Sequence, residues 1–198
     1  MNRLNWDDHM KFEVDWWRKF PNSNIVVSVH ADFFQYIYSH YCISIHSHHF
    51  NRALEIGLGA SGGYLGIIQS IGERYGLDPL VDELKDLLPY KKQIKYYQGT
   101  AEELPFADGF FDLVIISNAI DHCIDPQKVA NEMKRVLSKN GVVLIFNYLN
   151  EDKNHPHSYS HYNQVRELFK LRVVEEHYFA ARNRFRQRNP YYVGIYKK

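Results

Sequence analysis

From residue 52 onward the chain alternates short apolar runs with amphipathic segments, and this alternation constrains the fold more than any other feature. The runs at 53–57, 94–98, 111–116 and 141–146 are too short for helices and carry the branched and aromatic residues that strands favour. The pattern predicts a weaker strand around 72–77, ahead of Asp78 and Pro79. Helices are expected at 62–71, 80–88, 126–137 and 160–169. In the third of these Val129, Met133, Val136 and Leu137 share one face. Strand–helix repetition produces parallel strands with helices on both sheet faces. Two β-rich runs, 171–179 and 190–197, close the chain with no room for a crossover helix between them, so one must run antiparallel. The expected fold is a three-layer α/β sandwich: a mostly parallel seven-stranded sheet with one antiparallel strand near the C-terminus.

Residues 1–50 precede this alternation. Trp6, Met10, Glu13, Trp17 and Phe20 follow helical spacing, and Pro21 with Asn22 and Asn24 ends that helix. A second helix is expected over about 29–40, with Phe33, Phe34, Ile37 and Tyr38 on its apolar side. The whole chain reads as a single domain, with 1–50 an N-terminal helical cap and 51–198 a ligand-binding α/β core. The cap has two readings: a cover over an active site, or helical packing against the sheet.

Composition narrows the function. A formal net charge of +1 provides no global field toward nucleic acid or an anionic membrane. The exception is local. Arg182, Arg184, Arg186 and Arg188 alternate with polar and aromatic residues and in extended chain would share one side, as a solvated face or a grip on an anionic group. Two cysteines, Cys42 and Cys123, make no disulfide framework. The polar N-terminus does not read as a signal peptide, and no apolar run reaches membrane-spanning length. A cytoplasmic location is the expectation.

Three elements point to a nucleotide-type cofactor. Glu55-Ile56-Gly57-Leu58-Gly59-Ala60-Ser61-Gly62-Gly63 follows a strand, and its glycines let backbone approach a ligand without Cβ interference. No lysine follows them, so this is not a phosphate loop of the Lys-Ser/Thr kind. A dinucleotide loop and a plain tight turn both remain open at this point. Asp78 follows the second strand, where a carboxylate can accept from both hydroxyls of a ribose or, more plainly, cap a turn. The third element is the loop Gly99-Thr100-Ala101-Glu102-Glu103-Leu104-Pro105-Phe106, which can offer an apolar wall to a purine or form a surface turn.

Taken with Phe110-Phe111-Asp112-Leu113-Val114, Asp121-His122 and Val136-Leu137-Ser138-Lys139-Asn140-Gly141, these elements give a specific likeness. In order and spacing, the run from Ala53 to Phe146, about half the chain, resembles the class I S-adenosylmethionine-dependent methyltransferases, particularly the small-molecule and biosynthetic group. The resemblance implies a Rossmann-like fold and S-adenosylmethionine as cofactor. It places Glu55, Gly57, Gly59 and Gly62 toward the methionine end, Asp78 on the ribose, Ala101 and Glu102 beside the adenine with Leu104 as a wall, and Asn118 near the methionine part. One departure stands out: the commonest pattern has a third glycine two residues after Gly59, whereas here Gly62 and Gly63 follow Ala60-Ser61.

Methyl transfer needs alignment, water exclusion and, for some acceptors, a base. His122, directly after Asp121 beyond the fourth strand, is the candidate catalytic residue, with cofactor or substrate contact and structural packing as its other readings. His155, His157 and His161 follow the fifth strand; they suit substrate positioning or a surface turn better than a metal, and Ser158 or Ser160 can cap the next helix. No metal site is expected. His46, His48 and His49 precede the first strand, at the opposite edge. Trp17, Tyr148, His155, His157 and Tyr159 are the expected acceptor contacts. The expected partner is a small-molecule acceptor such as a sugar, polysaccharide precursor or secondary metabolite, not nucleic acid or membrane, with the protein a monomer or homodimer. The alternatives are an NAD-dependent oxidoreductase and a non-catalytic S-adenosylmethionine-binding protein.

Overall fold

Seven strands form one sheet: β1 (Phe50–Ile56), β2 (Ile71–Asp78), β3 (Ile94–Gln98), β4 (Phe111–Ser117), β5 (Leu137–Tyr148), β6 (Arg172–Arg182) and β7 (Arg188–Lys197). This computed structural model describes residues 6–19, 23–90, 92–149, 156–182 and 188–198, with side chains described in the same ranges except at 23–29, 182 and 188. The strand order is β3-β2-β1-β4-β5-β7-β6. β1 to β5 pair in parallel, while β7 lies antiparallel to both β5 and β6. The mostly parallel sheet with one reversed strand is therefore present. Arg182 pairs with Arg188 at the end of the β6–β7 arm where residues 183–187 connect the two strands, and Arg184 and Arg186 lie outside the described residues.

Alternation along the central strands builds two cores. Val114 and Ile116 of β4 point to one face with Val143 and Ile145 of β5; Leu113 and Ile115 point to the other with Val142, Leu144 and Phe146. α3 (Pro126–Val136) and α4 (Tyr162–Phe169) cover the first face through Val129, Met133, Val136, Val165 and Phe169. Each fully buried side chain of this kind contributes roughly 1.5–3 kcal/mol. α3 starts where the sequence supplies a cap: Asp125 accepts from the Gln127 and Lys128 amides, each at 3.1 Å, and Pro126 occupies the first helical position. α4 is capped by His161, not by Ser158 or Ser160; its ring accepts from the Asn163 amide at 3.2 Å.

The opposite face is built differently. α2 (Ser23–Tyr41) begins earlier than its apolar pattern suggested and packs Phe33, Phe34 and Ile37 against Tyr64, Phe146 and Tyr191. The helix expected at 62–71 is absent. In its place stands a 3-10 turn at Tyr64–Gly66, and β2 already begins at Ile71. Gly62 and Gly63 take positive φ of 76° and 52°, which no right-handed helix contains, and β-branched Ile67 and Ile68 follow. Tyr64, Leu65 and Ile68 are nonetheless buried, so the segment keeps its core side chains without a helix. The helix expected at 80–88 is likewise a string of turns. Leu80, Leu84 and Leu88 still face inward, with amide bonds from Leu84 to Leu80 and from Leu88 to Leu84. α1 (Trp6–Arg18) lies over these leucines through Met10, Val14 and Trp17, and Arg18 pairs with Asp86 at 3.0 Å. Among the described residues no helix is long and apolar enough to cross a membrane.

Candidate active site

The carboxyl ends of β1, β2, β4 and β5 open into a cavity of about 680 Å³. Ligand clefts form at this edge in open α/β sheets because the chain diverges there to opposite faces. The cavity floor comes from the loops after β1, β2 and β3; its roof comes from α1 and α2.

On the floor, β1 leaves the sheet at Gly57, whose amide donates to the Leu77 carbonyl at 2.8 Å and so locks the ends of β1 and β2 together. Two glycines here are sterically required. A Cβ on Gly57 would sit 2.4 Å from the Ala119 Cβ, and one on Gly63 would sit 2.1 Å from a carboxylate oxygen of Glu55. Asp78, the last residue of β2, is buried; its two oxygens accept from the Gly59 and Leu80 amides, each at 2.8 Å. Burial raises its pKa while those two bonds pull it down. A carboxylate offers about four acceptor directions, so two remain for a ligand.

Glu55 is completely buried and lines the same cavity. One oxygen accepts from the Leu65 amide at 3.0 Å, and the other has no protein partner. Desolvation pushes this carboxyl up to about 7, against the lowering effect of the Leu65 and Tyr64 backbone amides. Ala101 and Glu102 also stand in the wall, and Glu102 accepts from the Ile124 and Asp125 amides at 2.8 and 3.2 Å. Asn118 lines the cavity in the left-handed region, φ 51°, and its side-chain oxygen accepts from the Tyr148 amide at 3.0 Å.

Not every expected cofactor residue reaches the cavity. Gly62 packs behind it, where an added Cβ would meet the Tyr90 ring at 2.8 Å. Leu104 is sunk in the core, its amide donating to Glu132 and its carbonyl accepting from Arg135.

The roof consists of residues that local sequence patterns do not connect to the floor. Trp6, Met10, Glu13 and Trp17 project from one face of α1, and His30, Phe33 and Phe34 from α2. The Trp17 indole rests on the glycine turn: a Cβ on Gly59 would be 2.3 Å from its ring. Phe146, Tyr148, Asn189 and Tyr191 close the far side from β5 and β7. Of the expected acceptor contacts, Trp17 and Tyr148 line the cavity and His155 lies outside the described residues. His157 and Tyr159 do not line it. The His157 amide donates to the Asp121 carbonyl at 3.0 Å, its ring lies 3.0 Å from the Ile124 carbonyl, and Tyr159 is buried in the core.

His122 sits in a 3-10 turn, Ile120–His122, and lines the cavity. Its Nδ1 lies 3.0 Å from His9 Nε2 and 3.5 Å from Glu13 Oε1, while its Nε2 lies 3.9 Å from Asp121. The sequence pattern did not connect His9 and Glu13 with His122. The signal available was their four-residue spacing on the face of α1 that also carries Trp6, Met10 and Trp17.

The donor set fits S-adenosylmethionine. A buried carboxylate with spare acceptor capacity suits a ribose diol, a buried carboxylate oxygen lacking a partner suits a cationic amine, and Ala101, Leu77 and Pro79 supply apolar surface. Residues 54–145 match a family described as methyltransferase domain. The "uncharacterized methyltransferase YcgJ" of Bacillus subtilis is 30% identical over 123 residues, covering 59% of this chain and 49% of that protein. The chain thus spans about half the length of that curated relative. Among solved structures, the N-methyltransferase NodS of Bradyrhizobium japonicum WM9 superposes with a TM-score of 0.65 at 14% identity, covering 79% of this chain and 90% of its own. The [4+2]-cyclase SpnF gives 0.65 at 11% identity, covering 85% and 80%. These two likenesses speak to fold alone. Over residues 54–145 the chain is thus similar to methyltransferase domains, and its sheet order is that of a Rossmann-like methyltransferase fold.

Proposed function

We propose that the chain binds S-adenosylmethionine on the cavity floor and directs its methyl group to a small molecule held beneath α1 and α2. The observation that carries this is a single chamber whose floor holds Glu55, Gly57, Gly59 and Asp78 and whose roof holds Trp6, Trp17, Phe33 and Phe34. The bound sulfonium supplies the methyl group. The protein's part is to hold the cofactor through Asp78 and Glu55, exclude water with the aromatic roof, and set the acceptor against His122.

An aromatic roof suits ring-shaped acceptors with apolar faces, such as a sugar, a polysaccharide precursor or a secondary metabolite. A near-neutral chain favours such an acceptor over nucleic acid, and a cytoplasmic location goes with this reading. Calorimetry with S-adenosylhomocysteine tests it, with micromolar binding expected. Binding to NAD in place of S-adenosylhomocysteine would turn the reading to an oxidoreductase. SpnF is a [4+2]-cyclase with this fold, so the fold by itself also admits a second reading, in which the chain binds the cofactor without methyl transfer. Turnover of S-adenosylmethionine with any acceptor in a broad small-molecule screen would exclude it.

A further inference from the structure

The geometry points to a divalent-metal site at His9, Glu13 and His122, on the roof side of the cavity. This inference rests on reading that side as the acceptor chamber. The three donor atoms, one from each side chain, lie within 4.8 Å of one another. His9 Nε2 to His122 Nδ1 is 3.0 Å, and His122 Nδ1 to Glu13 Oε1 is 3.5 Å. Donors bound about 2.0–2.2 Å from one ion stand roughly 3–3.5 Å apart, so two of the three separations already match a shared ion.

The site is assembled from both parts of the fold. His9 and Glu13 stand one helical turn apart on the same face of α1, a spacing that lets two helix residues ligate one ion. His122 comes from the turn after β4. His9 is fully buried, while the side chains of Glu13 and His122 keep 16% and 19% of their exposure and line the cavity, which gives an ion access and leaves coordination positions facing an acceptor. An ion on Nδ1 of His122 requires the proton on Nε2, and the buried Asp121 carboxylate stands on that side at 3.9 Å. At 3.9 Å that carboxylate is beyond hydrogen-bond distance, so it favours this tautomer through its charge alone.

Two imidazoles and one carboxylate select a first-row ion such as Zn²⁺, Co²⁺, Mn²⁺ or Fe²⁺ over Mg²⁺ or Ca²⁺. The open positions fit an acceptor hydroxyl. The ion draws electron density from that oxygen and lowers its pKa, and the proton leaves to solvent, as happens to water on Zn²⁺. The acceptor class that follows is a hydroxylated small molecule, with vicinal hydroxyls able to fill two positions. The same trio explains why the full ligand set does not show in the sequence: His9 and Glu13 lie four residues apart, but His122 follows more than a hundred residues later, and the described residues His157 and His161 are not part of the group.

The test is a Co²⁺ titration of the metal-free full chain, read by visible d–d absorption. One equivalent should produce the band, Glu13→Gln should weaken it, and His9→Gln and His122→Gln should abolish it. Because His9 is buried, X-ray absorption of the wild-type protein with one equivalent of Zn²⁺ provides a reading independent of variants: two imidazoles and a carboxylate support the site, and any other ligand set overturns it. No cobalt band, or a band that persists in both histidine variants, also overturns it. S-adenosylhomocysteine calorimetry on the same wild-type sample separates the two readings: retained cofactor binding without a cobalt band sinks the metal site alone, and a cobalt band without cofactor binding sinks the proposed function alone.

Discussion

The floor and the roof of the cavity are held by opposite kinds of structure. The floor is made of short-range geometry: Asp78 clamps the Gly59 and Leu80 amides, and Gly57 bonds back to Leu77 across two adjacent strands. The roof is made of side chains from distant parts of the chain: Trp17 on Gly59, Phe34 on Tyr64 and Phe146, His9 against His122. Damage to the floor should therefore strike folding and cofactor affinity together. Damage to the roof should leave both nearly intact and appear in acceptor chemistry.

The largest effect is expected at Gly63. Its φ of 52° and the 2.1 Å approach of Glu55 to a new Cβ make Gly63→Ala both strained and overpacked, at about 2–5 kcal/mol of stability. Urea unfolding reads this; a loss under 1 kcal/mol would mean that the Glu55 pocket yields easily.

Glu55 provides a pH test of the floor. Its carboxyl is raised to about 7 from 4.5, so the folded protein holds a proton that the unfolded chain releases. Stability is then highest below about pH 4.5 for this group and falls as pH rises to about 7, by roughly 3 kcal/mol. The neighbouring hydroxyls of Tyr64 and Tyr96 are pushed up by burial and stay neutral throughout. Glu55→Gln should flatten that slope and raise the thermal midpoint of the ligand-free protein at pH 8. An unchanged slope would place the carboxylate in contact with water. S-adenosylhomocysteine, whose amine is cationic, should bind more tightly as pH rises through 7 in the wild type only.

Asp78→Ala removes two acceptor positions for a ribose, each worth about 1.5 kcal/mol or more, so affinity for S-adenosylhomocysteine should fall about a hundredfold. Circular dichroism must accompany the calorimetry because Asp78 also holds two backbone amides. Equal affinity in a folded variant would move the ribose elsewhere.

Trp17→Ala is the corresponding cut in the roof. Cofactor affinity should change less than threefold while kcat/KM for an identified acceptor falls about tenfold, the scale of a lost aromatic contact. The reverse pattern would erase the division between floor and roof. The smallest effect is expected for Arg18→Ala, which removes the exposed pair with Asp86 and should cost under about 1 kcal/mol in thermal unfolding.

The legible parts of this molecule were those whose cause is local. Strands β1, β3, β4, β5, β6 and β7 follow from apolar runs, α3 from one apolar face with Asp125 and Pro126 at its start, and the reversed arm from too short a connection. Helix period misled at 62–71 and 80–88. There the apolar spacing was correct, but glycines at positive φ and a run of turns satisfied the same burial without a helix. Gly62 and Leu104 belong to the right segments but face the core, because a motif places a loop at the sheet edge without deciding which of its residues turn toward the ligand.

Local pattern is enough to specify the parallel sheet and to bring Glu55, Gly57, Gly59 and Asp78 to its carboxyl edge. Their geometry depends on residues a few positions away or one strand over, and such spacing survives as pattern. Long-range packing, by contrast, is what lays α1 over the cavity, sets Trp17 on Gly59 and brings His9 and Glu13 to His122. An amphipathic helix specifies which face it buries but not against what. That choice belongs to the leucines at 80, 84 and 88, which offered α1 an apolar bed beside the open edge of the sheet.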